Sequence, residues 1–241
     1  MKYKADLRQQ TWDRLEQAGV ARSPGAQGRI PNFAGADEAA RRLGNVPAWK
    51  AARIIKCNPD SPQRPVRLQA LQAGKTVYMA VPRLRDALPF VELNPVRLRR
   101  ELGDDLHKAA TIQGAFRYGR PVRLDEMRHI DLVVAGSVAV AWDGARLGKG
   151  GGYSDLEFAL ARQAGLIDDK TPVVTTVHAM QVVDRPIPMT RHDVALDYIV
   201  TPSEAAATER RYRQPAGIYW DELPAEMLAA IPILRELKEG S

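Results

Sequence analysis

The sequence predicts an α/β sandwich organised on a mostly parallel sheet. Short β-rich runs alternate with stretches of helical period along most of the chain. The runs at residues 53–57 and 76–81 flank a helical segment, the spacing of a βαβ unit, which implies a parallel pair with a right-handed crossover. A third observation places chemistry on that scaffold: a glycine-rich loop at residues 146–155 stands between an apolar strand and a helix N-terminus. Ligands in such sheets sit beyond the carboxyl ends of the strands, where this loop falls.

Taken in order, residues 2–19 read as an amphipathic helix. Tyr3, Leu7, Thr11, Leu15 and Ala18 recur at three- and four-residue intervals, and Gly19 supplies a stop. Lys4 and Arg8 lie one turn apart on an adjacent stripe, a spacing that by itself describes ordinary surface cations. Residues 20–33, rich in Gly, Pro, Ser and Arg, read as loop. Residues 34–43 and 47–52 carry short helical patterns, with Asn45 offering a cap and Pro47 near the first helical position. A strand at 53–57, a turn at 58–62, a helix at 66–73 ending at Gly74 and a strand at 76–81 make the βαβ unit. Residues 89–93 read as a further strand and 103–110 as loop or short helix. The apolar run 131–140 reads as a buried strand continuing to Trp142, followed by a turn at Asp143-Gly144. After the glycine loop come a helix at 156–162, strands at 173–178 and 198–201, and one final helix at 223–237.

The chain of 241 residues is long enough for one large α/β domain, and 45% hydrophobic content suits a sizeable core. A net charge of +6 favours anionic partners: nucleic acid, or phosphorylated or polycarboxylate metabolites. The densest basic run, Arg97-Leu98-Arg99-Arg100-Glu101, reads as a solvated helix or loop face. No aromatic-rich ribonucleoprotein motif or zinc-finger spacing accompanies it, which argues against a nucleic-acid module. Cys57 is the single cysteine, so no intrachain disulfide forms and a reducing cytoplasm is expected; within its apolar run it reads as a buried hydrophobe rather than a nucleophile. The N-terminus lacks the apolar region of a signal peptide, and the stretch from Leu132 to Trp142 is too short to span a membrane, so no membrane partner is expected. His107, His129, His178 and His192 form no zinc-ligand pattern, and Gly136-Ser137 is not a nucleophile elbow.

The loop Arg146-Leu147-Gly148-Lys149-Gly150-Gly151-Gly152-Tyr153-Ser154-Asp155 has four glycines in the five positions 148–152. Such a stretch presents backbone amides that approach a ligand closely, beside the positive end of a helix dipole, and that combination suits phosphate. Arg146, Lys149 and Asp155 add two cations and a metal-capable carboxylate. The spacing matches neither a Walker loop nor a dinucleotide fingerprint. It resembles the nucleotide-binding signature of the 5-formyltetrahydrofolate cyclo-ligases, also called methenyltetrahydrofolate synthetases, which usually carries a second aromatic where Ser154 stands. Lys4 and Arg8 resemble that family's N-terminal nucleotide contacts. The segment Gly74-Lys75-Thr76-Val77 through Val81-Pro82 resembles its glycine-strand-proline stretch. Ile187-Pro188 through His192-Asp193, with Asp197 to Thr201, resembles its closing block.

The resemblance implies a three-layer α/β/α sandwich over residues 1–241, of the type shared by sugar-phosphate isomerases and coenzyme A transferases. Residues 20–52 then form an inserted loop-and-helix segment for which scaffold, lid and dimer contact are all open, as is the choice between monomer and homodimer. It implies ATP and magnesium as cofactors and a reduced folate or related anion as small-molecule substrate. Lys4, Arg8, Arg146, Leu147, Gly148, Lys149, Gly150, Gly151, Gly152, Tyr153 and Ser154 would contact the nucleotide. Arg146 and Lys149 would neutralise charge on the transferring phosphoryl group, Asp155 and Asp193 would hold the metal, and Gln63, Arg64 and Tyr153 would meet the substrate. In the family reaction ATP phosphorylates the formyl oxygen of 5-formyltetrahydrofolate, N10 attacks and phosphate leaves, giving the 5,10-methenyl product. One departure favours a rival reading. The family usually carries a glutamate after its first strand, and here that stretch reads Gln63-Arg64-Pro65, with Asp60 the nearest acid. The rival is a paralogue that keeps the ATP site but acts on another small molecule, or a non-catalytic folate- or nucleotide-binding protein.

Overall fold

A computed structural model describes residues 2–239. Helix α1 (Lys2–Gln17) buries Leu7, Thr11 and Leu15, while Tyr3 and Ala18, expected on the same face, stay exposed. Helices α2 (Ala36–Leu43) and α3 (Pro47–Ala51) follow. The cap position of α3 is Val46 rather than Asn45, with no side-chain cap, because an extended residue must precede a proline at the helix start. The βαβ unit is β1 (Ile54–Cys57), α4 (Arg64–Gln72) and β2 (Thr76–Ala80), and β1 and β2 pair in parallel. Next come β3 (Phe90–Leu93), α5 (Pro95–Leu102), α6 (Ile112–Tyr118), β4 (Arg120–Val122) and β5 (Leu132–Val134). Then follow β6 (Ala139–Val140), β7 (Arg146–Leu147), α7 (Tyr153–Gln163), β8 (Val173–Thr176), β9 (Tyr198–Val200), β10 (Ala205–Ala207), α8 (Ala225–Ala230) and α9 (Pro232–Glu239).

The main sheet has eight strands in the order β10-β9-β8-β5-β1-β2-β3-β4. Its middle, from β9 to β2, is parallel, and β10, β3 and β4 join antiparallel at the two edges. Alternating residues along each strand feed two apolar clusters. Tyr78, Ala80, Val133 and Val173 meet Phe158 and Leu160 of α7 and Leu234 of α9 on one face. Ile55, Val77, Met79, Leu132 and Val134 meet Leu43, Trp49, Leu71, Leu98 and Ala115 from α2 to α6 on the other. Helices thus cover both faces of the sheet.

Two expectations are corrected, and a third, the solvated helix face, is met. The apolar run 131–140 is not one strand: β5 ends at Val134, the chain leaves the sheet through Gly136, and Ala139–Val140 pairs with Arg146–Leu147 in a separate two-stranded ribbon. Apolar character marks burial and cannot tell which sheet a residue joins. The final helix is two helices, because Pro232 has no N–H to donate and Ile231 before it turns extended. The arginine run around residues 97–101 lies in α5, whose N-terminus is capped by Asn94 Oδ1 accepting from the Val96 and Arg97 amides. Among the described residues no helix is long and apolar enough to cross a membrane.

One packing detail positions the site. Leu7 of α1 packs with Ala139 and Leu147 of the ribbon in a small apolar cluster, which lays α1 along the start of the glycine loop. Lys4 and Arg8 flank Leu7 and so project over that loop.

Candidate active site

The C-terminal ends of β1, β2 and β5 open into a cavity of about 610 Å³. Its walls come from α1, the 20–33 loop, the loop after β1, the turn after β2, and the glycine loop with the start of α7. Every residue expected to contact nucleotide or metal lines it: Lys4, Arg8, Arg146 through Asp155, and Asp193. Gly150 (φ 108) and Gly152 (φ 68, the N-cap of α7) hold backbone conformations that L side chains rarely adopt. A Cβ on Gly150 would also lie 3.4 Å from the guanidinium carbon of Arg8. Arg8 lies against the loop, where its Nε donates to the Gly148 carbonyl at 2.7 Å.

The cations of this rim are held by carboxylates from distant segments. Lys4 Nζ lies 2.8 Å from Asp193 Oδ2, and Lys149 Nζ lies 2.9 Å from Asp60 Oδ1. Arg146, buried, pairs with Asp155 Oδ1 and donates to the Gly136 carbonyl at 2.9 Å. Arg8 loses basicity through burial, partly countered by Asp193. Burial pushes the Asp193 carboxyl up, but hydrogen bonds from Lys4 and Thr190 outweigh it and leave the group below its ordinary range.

The two expected metal ligands suit a hard cation. Asp155 uses Oδ1 for Arg146 and the Val194 amide, and Asp193 uses Oδ2 for Lys4 and Thr190. Each keeps one oxygen with no hydrogen bond to the described residues. Magnesium commonly takes one or two carboxylates and completes its shell with phosphate oxygens and water. Among the described residues no group of three or more His, Cys, Asp or Glu could hold a metal alone.

The chain belongs to the 5-formyltetrahydrofolate cyclo-ligase family. Its sequence matches that family over residues 1–202. It is 45% identical to the methenyltetrahydrofolate synthase domain-containing protein of Bos taurus over 98% of this chain, and 44% identical to the Mus musculus protein of that name over 98%. The chain spans 62% and 63% of the length of those relatives. In fold it is similar to the solution structure of Aquifex aeolicus 5,10-methenyltetrahydrofolate synthetase, with a TM-score of 0.52 at 18% identity, covering 87% of this chain and 94% of that one.

The three residues expected to meet substrate separate. Tyr153 lines the cavity. Gln63 is fully buried beside it: its Oε1 and Asp60 Oδ2 both lie close to Gly136, at 3.1 and 3.2 Å from where a Cβ would stand. Neither polar atom of the Gln63 amide has a hydrogen-bond partner among the described residues. Arg64 is exposed at the start of α4 and is not brought to the cavity. Sequence reasoning missed the cavity floor. There Lys56 of β1 pairs with Glu157 of α7, both buried, and Asn58 Nδ2 donates to the same Glu157 oxygen at 3.1 Å. Asn58 Nδ2 also reaches the Ser154 hydroxyl at 3.2 Å, so the serine standing in place of the second aromatic joins a polar cluster. Burial pushes the Glu157 carboxyl up, against the pull of Lys56. The signal was present: a lysine inside the apolar strand and a glutamate on the core side of a helix are charges where apolar residues belong. Arg29 and Arg83 also line the cavity, and Arg83 holds a left-handed backbone, φ 58, uncommon for a non-glycine residue.

Proposed function

We propose that the chain converts 5-formyltetrahydrofolate to 5,10-methenyltetrahydrofolate with ATP and magnesium. One observation carries the reading. Lys4 and Arg8 of α1 and Arg146 and Lys149 of the glycine loop, two segments far apart in sequence, line one cavity that also carries the hydrogen-bond acceptors Asp60 and Glu157. The cations suit phosphates, and the acceptors suit an N–H-bearing ring. ATP supplies the phosphoryl group that turns the formyl oxygen into a leaving group. The protein's work is positioning and charge neutralisation. The loop amides and the N-terminus of α7 cradle phosphate oxygens. Lys149, the more exposed cation, leaves Asp60 to meet them, while Arg146 is locked in place and holds Asp155. Asp155 and Asp193 would hold the magnesium ion through their open oxygens. A cytoplasmic monomer or homodimer with the three-layer architecture agrees with this reading.

The test is growth of the methenyl product's near-ultraviolet absorbance with ATP and magnesium. Turnover that needs both supports the proposal. Asp155→Asn and Asp193→Asn should each raise the magnesium required, and the double variant should lose less than the sum because both act through one ion. A second reading, a paralogue acting on another small molecule, is favoured by Arg64 standing where the family usually has an acidic contact and pointing away from the cavity. ATP binding without methenyl formation would select it.

A further inference from the structure

The Lys56–Glu157 pair is an expensive way to fill the space between a sheet and a helix. Lys56 pairs in register with Tyr78 and Val133, both in the apolar layer under α7, so its side chain enters that layer. A buried ion pair is often no more stabilising than an apolar pair of similar volume, which makes structural filling a poor account of it. What the pair does accomplish is to fix one carboxylate. Glu157 Oε2 accepts from Lys56 and from Asn58, itself buried and hydrogen-bonded to Ser154. Oε1 has no hydrogen bond to the described residues, and Glu157 lines the cavity. Asp60 Oδ2 and the unpartnered amide of Gln63 stand close to Gly136, which also lines the cavity. Three groups able to accept hydrogen bonds thus stand in or beside the cavity that the phosphate cations line.

We infer that Glu157 is a substrate-binding residue of this chain, its Oε1 accepting from the N–H donor edge of the substrate's heterocycle, with Lys56 and Asn58 as positioning residues. The inference rests on the cyclo-ligase reading and names the ligand class of its second subsite: a ring with adjacent N–H donors, such as the aminopyrimidinone of a reduced pterin. It places the acidic contact on the second turn of α7 instead of the loop after β1. Asp60 Oδ1 pairs with Lys149 and Glu157 Oε2 with Lys56, so the two lysines have separate carboxylates.

The experiment is calorimetric titration of the whole chain with 5-formyltetrahydrofolate and, separately, with Mg-ATP. Glu157→Gln should weaken folate binding about 10- to 100-fold, the scale for losing a hydrogen bond to a charged group, and leave Mg-ATP affinity within about threefold. Because that variant strands a buried lysine charge, which destabilises the fold, Lys56→Met/Glu157→Gln is measured beside it; this double variant buries no charge and should keep its melting temperature while showing the same selective loss. A folded variant that binds folate as the wild type does overturns the assignment and leaves the cyclo-ligase reading intact. Wild type that binds Mg-ATP but no reduced folate overturns that reading, and the assignment with it.

Discussion

Strands β1, β2 and β5 end at one cavity and begin at another. The second, of about 820 Å³, is lined by Lys50, Arg53, Lys75, Arg128, His129 and Asp131 together with the starts of the three strands. Both cavities are rich in cations, yet different groups lie between those cations. At the C-terminal ends there are glycine amides and the N-terminus of α7, which add positive potential. At the N-terminal ends, α3 and α4 finish and turn their last carbonyls outward. Lys75 Nζ is already given to the Ala52 carbonyl and sits 5.4 Å from the centre of the Trp49 ring, and Arg128 donates to Thr76 Oγ1 at 3.2 Å. Positive charge there answers helix C-termini, whereas at the other end it is reinforced by loop amides and the N-terminus of α7. The direction of the neighbouring backbone, more than the number of cations, separates a phosphate site from a capped surface.

Arg146→Ala is the severest test of this contrast. It removes a buried guanidinium, leaving Asp155 with the Val194 amide alone and the Gly136 carbonyl without the Arg146 donor, so stability should fall by about 3 kcal/mol or more, with loss of Mg-ATP binding. Chemical denaturation and calorimetry read the two effects. A variant of wild-type stability would show that the pair is not structural. Lys149→Ala comes next, since its side chain is 47% exposed. Mg-ATP binding should weaken by about 1–3 kcal/mol while the melting temperature stays put. Unchanged affinity would take the loop out of the nucleotide site. Lys75→Met should do the reverse, costing about 1 kcal/mol of stability through the undonated Ala52 carbonyl and leaving ATP affinity alone. An ATP loss equal to that of Lys149→Ala would erase the distinction between the cavities. The smallest effect concerns Cys57, at the end of β1 between the two. Burial pushes its thiol up to about 11, so almost no thiolate exists at neutral pH, and deprotonation becomes extensive only as pH nears that value. A maleimide at about pH 8 should label it only in denaturant, and rapid native labelling would mean that solvent reaches the strand from one cavity.

Residues 146–155 are legible as the candidate phosphate side because such chemistry needs consecutive backbone amides, a strand before them and a helix after them, all local properties of a sequence. The βαβ unit is legible for the same reason: alternation, helical period and connection length are near-neighbour patterns. Helix α6 was not, since its Thr111 cap lies in a short segment of weak periodicity. The pairing of each cation was also beyond reach. Lys149 and Asp60 are 89 positions apart, Lys56 and Glu157 are 101, and Lys4 and Asp193 are 189. Sequence spacing cannot assign such partners, because which carboxylate meets which cation depends on strand order: β5 between β1 and β8, and α7 crossing above Lys56. By itself the sequence determined the fold class and marked a candidate phosphate loop. Only the tertiary structure decided that Arg64 faces away and that Glu157 faces in, because those directions follow from where α4 and α7 sit on the sheet.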